Sequence, residues 1–379
     1  MRSRDRKMEF TDLLRIMSEK KASDLFITVG RPPCIKVDGR IKPVAKTVLT
    51  ADQTRELAFS LMSPEQREEF RHTKECNFGI SADDVGRFRV SAYVQRDAVA
   101  MVLRRIETRI PDFEELKLPP IIKELAMVKR GLIIFVGATG TGKSTSLAAM
   151  LGYRNRHADG HIITIEDPIE FLHQHEKSIV SQREVGIDTE SYEVALKNTL
   201  RQAPDVILIG EIRTREVMEH ALTFAETGHL VLTTLHANNA NQALERILHF
   251  FPKERMSQVL MDLSLNLKGI IAQQLVPRAD GKGRRAAVEV LLNTPLASDL
   301  ILKGQIHELK DLMKRSREHG MITFDQALYE LYLEGEITEQ DALKYADSAN
   351  EVRLMIKLGD NTPGNRSRDL DAAMLVDDY

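Results

Sequence analysis

Gly137-Ala138-Thr139-Gly140-Thr141-Gly142-Lys143-Ser144-Thr145 follows the apolar run Leu132-Ile133-Ile134-Phe135-Val136 and opens a segment with Leu147 and Leu151 on one face. The run reads as a buried strand and the segment after it as a helix, with a glycine-rich turn between them. The pattern G-x-x-x-x-G-K-[ST] in that setting is a P-loop. Its glycines permit backbone angles that turn successive N–H groups toward one point, and the helix start adds partial positive charge. Lys143 is placed to reach β- and γ-phosphates and Ser144 to ligate Mg²⁺. A chance glycine-rich turn accounts for the glycines but not for Lys-Ser directly after an apolar strand. The stretch therefore predicts a nucleoside triphosphate site.

Outward from it, strand candidates fall at 132–136, 161–165, 206–210, 230–234 and 288–292, separated mostly by helical patterns. That rhythm predicts an α/β domain with a mainly parallel sheet covered on both faces. Val206 to Ile209 ends at Gly210-Glu211-Ile212-Arg213, the Walker B arrangement of an acid at a strand's carboxyl edge. Glu211 is the candidate to polarise attacking water. Gly210 stands where the usual strand-end Asp would be, so Mg²⁺ is expected on Ser144, phosphate oxygens and water. His161 to Ile165 leads into Glu166-Asp167, which makes Glu166 a general base, a water-positioner or a structural turn acid. His229 and His236 bracket the strand from Leu230. His236, at the carboxyl end, could contact γ-phosphate or a neighbouring subunit. His229, at the entry, is either part of that chemistry or a packing histidine.

The flanking sequence has a different grammar. Phe10, Leu13, Leu14 and Met17 predict an amphipathic helix, and Thr50-x-x-Gln53 and Ser63-x-x-Gln66 are capping boxes. Short strands are expected at Leu25 to Val29 and Ile35 to Val37, with a turn at Asp38-Gly39. Asp83, Asp84 and Gly86 mark another turn before Arg87 to Val94, where Phe88, Val90, Ala92 and Val94 alternate with Arg87 and Arg89. Residues 1–108 thus read as a small α+β domain and 109–120, with three prolines, as a linker. Residues 121–293 read as the P-loop domain, 294–358 as a helical subdomain and 359–379 as a disordered acidic tail.

Composition sets the bounds. The chain has 379 residues, enough for about two to three domains, and a formal charge of −3. Five Asp against two Arg from Asp360 onward account for that charge, which leaves a neutral body and argues against nucleic acid as a partner. Two cysteines, Cys34 and Cys76, exclude a disulfide framework or tetracysteine zinc site and suit a reducing cytosol. The apolar runs are far below the ~18 residues of a membrane span, so no direct membrane insertion is expected.

The P-loop, Ile165-Glu166-Asp167-Pro168-Ile169-Glu170-Phe171, Gly210-Glu211-x-Arg213 and Thr234-Leu235-His236 together resemble the secretion-superfamily hexameric ATPases. In that superfamily they are the Walker A, Asp, Walker B and His boxes. Ser23-Asp24-Leu25, Pro32-Pro33 and Val37-Asp38-Gly39 extend the likeness, which covers about residues 8–358. The chain lacks the long N-terminal region and tetracysteine insert of the extension and type II secretion branch, and so is similar to the PilT/PilU retraction branch of type IV pili. Leu296 to Lys303 reads without the arginines of PilT-type members, which resembles the accessory, PilU-type members.

The resemblance implies a RecA-like ATPase domain after a PAS-like small domain, with ATP and Mg²⁺ as ligands. It implies a homohexamer, with inter-domain closure over nucleotide and a γ-phosphate arginine from the small domain; Arg89, Arg96 and Arg104 are the candidates. Further implied partners are a PilT-like paralogue and a PilC-like inner-membrane platform protein. The location implied is the cytoplasm, at the pilus machine of the cell pole. A pilus-extension or type II secretion motor and an ATP-binding accessory subunit with little activity of its own are the alternatives.

Overall fold

The computed structural model describes residues 10–37, 40–82, 85–106 and 109–359. The expected turns at Asp38-Gly39 and Asp83-Asp84 and the tail from Asp360 lie outside them. The chain divides into two compact units. One takes in the chain through Arg109 with Ile169–Leu172 and Gly186–Glu190; the other takes in Ile110–Pro168, His173–Val185 and everything from Ser191.

The first unit runs α1 (Phe10–Glu19), β1 (Asp24–Ile27), β2 (Cys34–Val37), β3 (Arg40–Pro43), α2 (Ala51–Leu61), α3 (Pro64–Thr73), β4 (Glu75–Ala82), β5 (Gly86–Gln95) and β6 (Ala98–Arg105). Both expected capping boxes form, at Thr50 and Ser63. The strands make a six-stranded sheet ordered β3-β2-β1-β6-β5-β4. Leu25, Ile27, Phe88, Val90, Met101 and Leu103 share one core with Leu13, Leu14 and Met17 of α1. Because side chains alternate along a strand, Arg89 and Arg104, directly opposite each other on β5 and β6, point to the other face.

The second unit begins with α4 (Phe113–Leu116), α5 (Ile121–Ala126), β7 (Gly131–Val136), α6 (Lys143–His157), β8 (Gly160–Glu166), β9 (Ser178–Glu184) and α7 (Tyr192–Thr199). It continues with β10 (Val206–Ile209), α8 (Arg215–Glu226), β11 (Leu230–Leu235), α9 (Ala240–His249), α10 (Met256–Asn266), β12 (Leu267–Pro277) and β13 (Arg284–Leu292). Among the described residues five α-helices follow: α11 (Pro295–Leu302), α12 (Leu309–Arg315), α13 (Phe324–Leu333), α14 (Glu339–Tyr345) and α15 (Ala349–Leu358). The seven-stranded sheet is ordered β13-β12-β7-β11-β10-β8-β9, parallel except for β13.

Every residue of β7 is buried. Leu132, Ile134 and Val136 enter one core cluster, while Ile133 and Phe135 enter the other, so a single strand feeds the cores on both faces. Parallel pairing has one consequence for chemistry: β7, β11, β10 and β8 all deliver their carboxyl ends to the same edge.

Four strands were not legible in the sequence: β4 and β6 of the first unit, and β9 and β12 of the second. The outer strand β9 has only the adjacent pair Ile179 and Val180 among Ser, Gln, Arg and Glu, which reads as loop, and Ile179 is exposed. Nothing marks a turn between α10 and β12: Asn266 ends one and Leu267 begins the other.

Candidate active site

The P-loop leaves β7 through Gly137, Gly140 and Gly142, whose φ angles of 153°, 79° and 86° favour glycine. Space restricts two of them further. A Cβ on Gly137 would lie 2.6 Å from the Gln273 carbonyl, and one on Gly142 2.8 Å from Gln273 Nε2. Gly142 is the N-cap of α6, and no side chain caps that helix. Its first N–H groups and the positive end of its dipole are thus left to an anion.

Ala138, Thr139 and Gly140 are exposed on the turn, while Ser144 and Thr145 are half-buried on the first turn of α6. Thr141 Oγ1 donates to the Ala138 carbonyl at 2.9 Å. Lys143 is buried and its ammonium donates to the carbonyls of Gly137 at 2.8 Å and Ala138 at 2.9 Å, so its charge already lies inside the loop.

Gln273 was missed by sequence reasoning because its strand was. Fully inside the fold on β12, it donates through Nε2 to the Thr141 carbonyl at 2.8 Å and accepts from Ser146 Oγ at 2.7 Å. It braces the loop from the neighbouring strand.

Three residues singled out in the sequence meet at the ends of β10 and β11. Glu211 Oε2 accepts from Arg213 Nε at 2.8 Å, and Glu211 Oε1 lies 3.0 Å from His236 Nε2. Arg213 also reaches Asp167 Oδ2 at 3.8 Å. His236 lines an open cleft of about 590 Å³ with Ala138 and Thr139 of the P-loop and Asn238, Gln242 and Arg246 beyond β11. Glu166 sits one strand further out, on β8, where its Oε1 accepts from Thr164 Oγ1 at 2.6 Å and Gln182 Nε2 at 3.1 Å. At about 4.8 Å per strand, β10 lies on the order of 10 Å from β7 and β8 on the order of 14 Å. Glu211 is therefore the nearer carboxylate to the P-loop strand.

The geometry explains the missing strand-end Asp. A Cβ at Gly210 would lie 2.9 Å from Tyr192 Oη, 3.2 Å from Glu166 Cα and 3.3 Å from the Ile165 carbonyl. Tyr192, a second residue the sequence did not flag, is half-buried beneath the strand ends. Burial, then the charges of Asp167 and Glu166, push its phenol above the ordinary value, and its oxygen accepts from the Glu211 N–H. We expect Gly210→Ala to cost about 1–3 kcal/mol of stability through overpacking. Urea denaturation checks it, and an unchanged midpoint would refute the crowding.

His229 stands apart. It precedes β11, about 20 Å along the six-residue strand from His236, at the opposite sheet edge. Its Nδ1 lies 3.1 Å from the Phe224 carbonyl and 3.2 Å from Thr227 Oγ1, a packing role within this chain.

The small-domain arginines do not form one group. Arg104 Nε reaches Asp24 Oδ1 at 3.0 Å with its side chain 71% exposed, and Arg89 is its cross-strand neighbour. Arg96 lies in the β5–β6 turn at φ 48°, at the far end of that hairpin.

The hard oxygen donor Ser144, on the first turn of α6 beside Lys143, suits Mg²⁺. Among the described residues no group of three or more His, Cys, Asp or Glu side chains could hold a metal by itself. None of their helices is long and apolar enough to cross a membrane.

A family model described as type II/IV secretion system protein matches residues 10–341. The chain is 71% identical over 352 residues to a Pseudomonas aeruginosa protein named type IV pilus ATPase PilU, covering 93% of this chain and 92% of that one. It is 39% identical to the type IV pilus retractation ATPase PilT of the same organism, covering 89% and 98%. Among solved structures, the pilus retraction motor PilT with bound ADP matches with a TM-score of 0.86 at 40% identity, covering 92% and 100%. The Legionella pneumophila ATPase DotB matches with a TM-score of 0.76 at 27% identity, covering 92% and 95%. With the glycine turn, Lys143 and the Glu211–His236 pair set along one sheet edge, and a family match over residues 10–341, the chain belongs to the type II/IV secretion system protein family as one of its P-loop ATPases.

Proposed function

We propose that the chain hydrolyses ATP to drive or assist type IV pilus retraction. The observation that carries this reading is the meeting of Glu211 with His236 on strands that share their carboxyl edge with the P-loop. The first amides of α6 and Lys143 bind the phosphates. Glu211 takes or orients the proton of the attacking water, held on one side by Arg213 and on the other by His236. Glu166 holds a second water contact from β8. Ser144 would hold Mg²⁺, whose charge would offset that of the phosphates.

An arginine of a small domain completes the phosphate contacts, and closure over nucleotide supplies the work. Such an arginine is worth ~10³–10⁵ in rate. Arg104, exposed beside Arg89, is the first choice. Arg104→Ala should lower turnover by ~10³ or more with nucleotide affinity largely kept. Unaltered turnover would move the role to Arg89 or Arg96.

The assembly is a homohexamer in the cytoplasm, recruited at the cell pole to an inner-membrane platform protein of the PilC type and working with a PilT-like paralogue. A second reading, an accessory subunit that turns over little ATP alone, is favoured by one observation. Helix α11 carries no arginine. Steady-state phosphate release by the purified full chain separates the two. Gene deletion sets the direction of the motor: excess surface pili with lost motility supports retraction, and bald cells would make it an extension motor.

A further inference from the structure

Glu289 lies on β13, 2% exposed, and takes no part in the chemistry above. One of its oxygens accepts from the Ala240 N–H at 2.8 Å and the other from the Phe324 N–H at 3.2 Å. Those two amides open α9 and α13. A single carboxylate therefore satisfies the starts of two helices that belong to different parts of the unit. Helix α9 follows the short loop that begins at His236, whereas α13 is the central helix of the C-terminal group.

Two further contacts join the same places. Asn239, the N-cap of α9, donates to Asp347 Oδ2 at 3.2 Å, and Asn241 donates to the Ile306 carbonyl at 3.0 Å. Asp347 in turn pairs with Lys310 at 2.8 Å, and its N–H donates to Asp325 Oδ1 at 2.8 Å. Burial pushes the Glu289 carboxyl up to about 7, opposed by the two amide donors. A buried polar group used as a two-ended acceptor from two separate helix starts suits specification of one arrangement more than stability.

We propose that Glu289 is a positioning residue that ties the His236 loop to the C-terminal helices, so that a change in that loop on nucleotide binding is passed to α12–α15. The proposal rests on the nucleotide reading of the P-loop. Movement of the loop displaces the start of α9, and the shared carboxylate makes the start of α13 follow. Coupling of this kind is read at both ends at once.

The test is hydrogen–deuterium exchange on the full chain, with and without a non-hydrolysable ATP analogue. In the parent protein, nucleotide should slow exchange in segments 236–245 and 321–330 together, and Lys143→Ala should lose both responses. Glu289→Gln keeps the side-chain size but offers one acceptor where two are used. In that variant the response at 236–245 should remain while that at 321–330 falls at least ~5-fold, with kcat lowered and KM little changed. Loss at 321–330 alone supports the proposal. A Gln variant that keeps both responses, or a parent that responds at 236–245 only, overturns it; the parent comparison decides if the variant fails to fold. A parent with no response anywhere would instead sink the nucleotide reading and this inference with it.

Discussion

Lys143→Ala is expected to abolish tight ATP binding, with affinity falling at least ~100-fold. Removing a charge-assisted contact is worth about 3 kcal/mol, and each 1.4 kcal/mol is tenfold. The ammonium already lies across the carbonyls of Gly137 and Ala138, so it also sets the shape of the turn. Titration with a fluorescent ATP derivative checks the affinity, and circular dichroism checks that α6 still forms. A variant that binds as the parent does would remove the phosphate role from Lys143.

Glu211→Gln should separate binding from chemistry. The amide keeps the size of the side chain and one acceptor, so the cluster with Arg213 and His236 survives in part, but the group no longer takes a proton. Turnover should fall by ~10²–10⁴, the range of a general base, while nucleotide affinity changes little. Phosphate release and the same titration measure the two quantities. Parental turnover in the Gln variant would transfer the role to Glu166, whose carboxylate is held by Thr164 and Gln182 one strand away.

The legible parts of this molecule are those in which one local rule decides the outcome. Glycines 137, 140 and 142 announce a turn because each adopts a backbone angle that other residues avoid. Thr50 and Ser63 announce helix starts because their capping boxes are contained within four residues. Glu211 and His236 could be placed at a strand end, and parallel pairing then brought them to 3.0 Å. Gln273, Tyr192 and Glu289 carry no such signal: their partners lie 132, 18 and 49 or 35 positions away, at Thr141, Gly210 and Ala240 or Phe324. His229 and His236 were separable in the sequence as the entry and the carboxyl end of one strand, and β11 sends them to opposite edges.

The uncapped start of α6 bears on how long a chain survives. Phosphates gathered there are held by the folded chain and not by the unfolded one, which lacks the turn. At a hundred times its dissociation constant, a ligand of this kind adds about 2.7 kcal/mol against unfolding. Protease resistance should therefore rise and fall with the supply of triphosphate, and starvation would shorten the protein's half-life as well as idle it.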